Sequence, residues 1–180
     1  IITIAQETEQ TGKTAIAIHI AVALMRLGYR VGTLDVDNKN VGLTNYMMNR
    51  WDALANYDNE LPMPVHMDIA PSSLENTEDK KQEEIRFFDM ALDELRSNCD
   101  FIIIDTPSHP HHLTVTACRK ANTLISVIKN DLSELDKLTN HKDPKGPPPT
   151  FSIYSLTAGG FDSKITEDKN SAQRWFVLTN

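Results

Sequence analysis

Apolar residues run along this chain in two rhythms. Short, almost wholly apolar or β-branched runs recur at Ile1 to Ala5, Tyr29 to Asp35, Val65 to Ala70, Phe101 to Ile104, Thr123 to Ile128, Phe151 to Leu156 and Arg174 to Thr179. Each is short enough for a strand, and several have no polar alternation, the pattern of strands buried on both faces of a parallel sheet. Between them lie longer stretches with helical spacing. From Thr14 to Leu27 the apolar residues are nearly continuous, which predicts a helix buried on most of its surface and closed by Gly28. Asn40 to Leu54 predicts a second helix, with Val41, Leu43, Met47, Met48, Trp51 and Leu54 as its apolar set. The acidic stretch Leu74 to Glu84 leads into a third, whose face is Ile85, Phe88, Met90, Leu92 and Leu95. Cys118 falls in a further helix.

Strands that alternate with helices, and are themselves apolar, predict an α/β fold with a doubly wound, mostly parallel sheet in three α/β/α layers of the Rossmann kind. At 180 residues with 40% hydrophobic content there is material for one core, so residues 1–180 read as a single domain. Asp143 to Pro149, with four prolines and a glycine, reads as a loop. The sequence ends at Asn180 directly after a strand, and a domain truncated at its C-terminal end is expected.

Composition narrows the function classes. A net charge of −7 argues against coating nucleic acid through overall charge, and Arg119, Lys120, Lys142 and Lys145 form no clear stripe. The acids in Glu75 to Asp79 and Glu83–Glu84 read as solvated surface. No apolar run approaches the roughly 20 residues of a membrane-spanning helix, and no secretory signal is visible, so a cytoplasmic location is expected. Cys99 and Cys118 read as buried thiols.

Three places could carry chemistry. The first is Gly12-Lys13-Thr14, which follows a strand and a polar loop and opens a helix. Backbone N–H groups and the helix dipole at such a terminus favour an anion. Lys13 would reach the phosphates and the Thr14 hydroxyl would hold Mg²⁺. Glu7, Glu9 and Gln10 stand where a phosphate loop usually has glycine or another small residue, so a capped loop with an exposed lysine stays open as an alternative. The second and third are Asp35 with Asp37, and Asp105, each at the carboxyl end of a strand. Ligands bind beyond that edge of an open parallel sheet, so these acids should converge on the phosphate loop. One carboxylate there can hold a magnesium-bound water and another can orient the attacking water. His109-Pro110-His111-His112 is a candidate metal cluster, but with two prolines around it a solvent-facing switch loop is expected instead.

With these residues in hand, the chain resembles the ParA/MinD superfamily of deviant Walker ATPases. Ile2 to Asp37 is similar to its phosphate-loop unit, and Asp100 to Pro107 to its Walker B strand. Within the superfamily the chain is most similar to the MipZ family. The likeness lies in the His19 helix, Glu60-Leu61-Pro62, Cys99-Asp100, Asn130-Asp131, Ser152 to Thr157 and Trp175 to Asn180. The resemblance implies a P-loop NTPase that binds ATP and Mg²⁺. Gln10, Thr11, Gly12, Lys13, Thr14, Ala15 and Asn180 would contact nucleotide, and Thr14, Asp35 and Asp105 would serve the metal. Asp37 and Lys13 would serve hydrolysis. It further implies an ATP-dependent homodimer, non-specific DNA binding, and ParB-like and FtsZ-like partners in chromosome partition and division-site placement. The family's signature lysine falls at Thr8 here, and its two following glycines fall at Glu9 and Gln10. That departure leaves a second reading, a pseudo-ATPase scaffold that binds partners without turnover. A different P-loop kinase or ligase is a third, and the Ser152 to Thr157 stretch gives it no support.

Overall fold

The structure, a computed structural model, describes residues 1–6, 9–56, 61–129 and 174–179. The expected strand at 151–156 and the proline-rich loop at 143–149 lie outside them. Among the described residues the chain runs β1 (Ile2–Ile4), α1 (Lys13–Arg26), β2 (Val31–Asp35), α2 (Gly42–Asn56), β3 (Val65–Asp68), α3 (Thr77–Asn98), β4 (Phe101–Asp105), α4 (His112–Lys120), β5 (Thr123–Ile128) and β6 (Arg174–Thr179). The six strands form one sheet in the order β3-β2-β4-β1-β5-β6, and every pairing is parallel.

The apolar strands behave as their sequences require. In β4, Ile102 and Ile104 face one layer and Ile103 the other. The first pair packs with Phe88, Leu92 and Leu95 of α3 and with Leu113 and Ala117 of α4. Ile103 joins Ile4, Val31 and Ile125 under Ala17, Ala21 and Met25 of α1. Helices therefore cover both faces, and each fully buried Leu, Ile or Phe stabilises the fold by roughly 1.5–3 kcal/mol.

The helices differ from expectation in detail. α1 buries one stripe, Lys13, Ala17, Ala21 and Met25, while Ala15, His19 and Ala23 on the opposite side are exposed. An alanine-rich helix looks apolar all round because alanine is tolerated on either face. In α2 only Leu43 and Met47 are buried, and Met48 and Trp51 face solvent at 61% and 65% exposure. α3 begins inside the acidic stretch, not after it. The Asn76 side chain accepts N–H bonds from Glu78 and Asp79, and these two acids sit favourably at the positive end of the helix dipole. Met90 lies on its exposed side, whereas Glu84 is only 2% exposed and does not belong to the solvated surface.

Candidate functional site

The sheet order brings the expected residues to one edge. β1 lies between β4 and β5, and β4 between β1 and β2, so the chain leaves β1 beside the end of β4. In register, Ile4 pairs with Asp105 and Asp35 pairs with Asp105. One carboxylate thus ends the central strand, with the turn into α1 on one side and a second carboxylate on the other.

That turn rises to Gly12, whose φ of 91° is left-handed and suited to glycine; its carbonyl starts α1 by accepting the Ile16 N–H at 2.9 Å. Gln10 also adopts a positive φ, 57°, where the resemblance has glycine, and both Glu9 and Gln10 are exposed. Thr11 is buried and Ala15 exposed. Thr8 and Asn180 lie outside the described residues.

Lys13 is buried at 6% exposure, and its Nζ donates to Ser108 Oγ at 2.6 Å. Burial pulls its pKa below the usual lysine range, opposed by the nearby carboxylates Asp105, Asp37 and Glu9. The Thr14 hydroxyl donates to Asp105 Oδ2 at 2.6 Å. The other oxygen, Oδ1, is buried with no hydrogen-bond partner among the described residues. Burial raises this carboxyl to about 7, against the lowering effect of the Thr14 hydrogen bond.

Asp35 and Asp37 are engaged within the chain. Asp35 Oδ1 accepts the Asp37 N–H at 3.0 Å, and Oδ2 accepts both the N–H and the hydroxyl of Thr44 at 2.9 Å, tying β2 to the first turn of α2. Because that hydroxyl donates to Asp35, it receives the Nε2–H of His66 at 3.1 Å, and His66 Nδ1 accepts from Thr33 Oγ1 at 2.9 Å. Burial holds the His66 pKa below its ordinary value, consistent with a neutral ring in this chain of bonds. Asp37 accepts the backbone N–H groups of Lys39 and Asn40 and the Asn40 side-chain amide at 2.8 Å, so it shapes the loop toward α2. Val41 in that loop has φ 41°, a strained conformation for a β-branched residue.

The donor set fits a hard cation beside an anion. A hydroxyl, a carboxylate with an orphaned oxygen, and a buried ammonium meet at a helix N-terminus on the carboxyl edge of the sheet, and oxygen donors of this kind suit Mg²⁺. Ser108, Thr44 and His66 were not foreseen. Each matters through a contact distant in sequence, and only the position of Ser108, three residues after Asp105, offered a local signal.

His109 to His112 is not simply a solvent-facing loop. His111 is the N-cap of α4, accepting the Leu113 N–H at Nδ1, and His112 is the first helical residue, with Nε2 at 2.9 Å from Glu84 Oε2.

A family model described as ATPase MipZ matches residues 1–180. Among solved structures, the MinC:MinD cell division protein complex of Aquifex aeolicus is similar with a TM-score of 0.62 and 16% identity, over 99% of this chain and 67% of that one. A Borrelia burgdorferi B31 protein assigned to plasmid partition, bound to AMPPNP, has a TM-score of 0.57 and 18% identity over 99% and 74% of the two chains. The septum site-determining protein MinD of Pyrococcus horikoshii OT3, complexed with Mg-ADP, has a TM-score of 0.50 and 21% identity over 74% and 59%. No curated protein matches the chain. Among the described residues no helix is long and apolar enough to cross a membrane.

Proposed function

Since the chain belongs to the ATPase MipZ family, we propose that it is an ATP- and Mg²⁺-dependent molecular switch in chromosome partition and division-site placement. The observation that carries this reading is the pairing of Thr14 Oγ1 with Asp105 Oδ2, next to buried Lys13 and with Asp105 Oδ1 lacking a hydrogen-bond partner among the described residues. The AMPPNP and Mg-ADP bound by two structural relatives support the same ligands here.

In this reading the backbone from Gln10 to Ala15 wraps the phosphates, and Lys13 exchanges Ser108 for a phosphate oxygen. Thr14 and Asp105 would hold the cation, while Asp35 fixes α2 at the rim. Mg²⁺ supplies charge neutralisation and orientation at the phosphates when bound. Asp37 orients the attacking water, which requires its carboxylate to leave the Asn40 turn. Asn180 would contact the base, as the resemblance implies. ATP would close two copies into a dimer that engages DNA and ParB-like and FtsZ-like partners in the cytoplasm, and hydrolysis would release them.

Asp37→Ala should slow phosphate release from ATP by about a hundredfold while nucleotide affinity stays within about threefold, because a water-orienting acid acts on the chemical step. Phosphate release and nucleotide titration on the folded variant test this. Parallel loss of both would remove Asp37 from that role.

A second reading has specific support in Gln10, a non-glycine residue at positive φ in the phosphate loop, and in Thr8 and Glu9 beside it. There the chain is a scaffold that keeps the fold and partner surface without turnover. The two readings part on nucleotide binding.

A further inference from the structure

Away from the phosphate loop, Glu84 of α3 and the two histidines that open α4 come together. One ligand atom from each of Glu84, His111 and His112 lies within 4.8 Å of the other two. We propose that these three residues form a binding site for one divalent transition-metal ion of the Zn²⁺ class.

Glu84 is a carboxylate at 2% exposure on a helix otherwise rich in solvated acids. It is held from behind, since its Oε1 accepts the Ser72 N–H at 3.0 Å, and this leaves Oε2 turned toward His112. The Nε2 of His112 is itself buried. It sits 2.9 Å from Oε2, close to the carboxylate but poorly directed for a hydrogen bond to it. A buried nitrogen with so poorly directed a contact is costly, and a cation shared with the carboxylate would satisfy both.

His111 completes the set, its ring centroid 4.2 Å from that of His112. The hydrogen bond it accepts from Leu113 is long at 3.3 Å, so a ring nitrogen can be given up to a metal at small loss. Two nitrogens and one carboxylate oxygen match the donor set of three-ligand zinc sites, in which the remaining position is left to water or an incoming group. That position would open on a cavity of about 370 Å³ between α3 and α4, lined by Lys81, Ile85, Pro110, Val115, Thr116 and Arg119 in addition to the histidines. Metal–ligand bonds of about 2.0–2.2 Å in tetrahedral geometry require the His112–Glu84 pair to part slightly, within the reach of side-chain rotation.

The site would staple α3 to the segment that follows β4. That segment carries Ser108, the partner of Lys13, so an ion here would brace the loop facing the phosphate-loop lysine. The binding claim itself is independent of any nucleotide.

Co²⁺ serves as the probe, added to the chelator-treated, refolded full chain and followed by its visible absorption, with Zn²⁺ displacement as a check. One ion per chain is expected, with affinity reduced by about tenfold or more in His112→Ala and in Glu84→Gln and unchanged in His109→Ala. Circular dichroism confirms that each variant is folded. Failure of the folded native chain to bind Co²⁺ or Zn²⁺ would overturn the proposal without touching the nucleotide reading. So would loss of binding in His109→Ala equal to that in His112→Ala, the sign of a surface histidine cluster only.

Discussion

At the scale of single residues, the site holds a carboxylate under strain from burial. Asp105 is 1% exposed, has one oxygen without a hydrogen-bond partner among the described residues, and is pushed by burial from its ordinary 3.8 up to about 7. Between those values the folded chain binds more protons than the unfolded one, so this group's contribution to stability is present below about pH 4. It is then lost as pH climbs through 7. Asp105→Asn removes the ionisation and keeps an acceptor for Thr14. Without Mg²⁺ or nucleotide, the variant should gain on the native chain as pH rises from 5 to 8, by on the order of 2 kcal/mol. Urea titrations at the two pH values measure the gain, and a difference independent of pH would show that Asp105 is not the titrating group. The location of Asp105 was legible, because an acid ending a wholly apolar strand has one place to go in a parallel sheet. Glu84 was not legible. Its burial depends on a backbone N–H offered by Ser72, and nothing in a run of glutamates marks which one turns inward.

At the scale of elements, strands were read more closely than helices. β5 and β6 fall on Thr123–Ile128 and Arg174–Thr179 as the apolar runs indicated, although β5 is buried along nearly all its length while Phe176, Val177 and Leu178 of β6 are exposed. Helix faces depend on which neighbour covers them. Met48 and Trp51 looked like core residues by spacing, but α2 is covered only along Leu43 and Met47. The start of α3 was hidden because its capping signal, Asn76 with Glu78 and Asp79, sits in an acidic run that reads equally well as a loop. The closeness of α3 to the sheet hinges on one small residue. A Cβ at Gly32 would come within 2.9 Å of Leu95 Cδ2 and 3.1 Å of Cys99 Sγ. Leu95 is fully buried and has no room to retreat. Gly32→Ala should therefore destabilise the chain by about 1–3 kcal/mol through overpacking, seen as a lower urea midpoint at unchanged slope. An unchanged or raised midpoint would mean that α3 shifts freely on β2.

At the scale of the whole molecule, strand order does what no single motif could. Parallel pairing puts the loop after β1, Asp35 and Asp105 on one edge, and the order β3-β2-β4-β1-β5-β6 makes them neighbours there; the alternation of elements suggested the shared edge before any contact was known. What alternation could not supply was the wiring across that edge. Lys13 with Ser108, Asp35 with Thr44, and Thr33 with His66 all join residues far apart or in different elements. The same edge carries the features on which function turns. Thr14, Lys13 and Asp105 are arranged for a phosphate and its cation, while Gln10 holds a positive φ in that loop without being glycine. Titration with a fluorescent ATP analogue, with and without Mg²⁺, tests the central claim most directly. Saturable binding that strengthens at least about tenfold with Mg²⁺ is the expected result, since each tenfold corresponds to about 1.4 kcal/mol from cation bridging. No binding by the folded chain, with or without Mg²⁺, would contradict the switch and leave the scaffold.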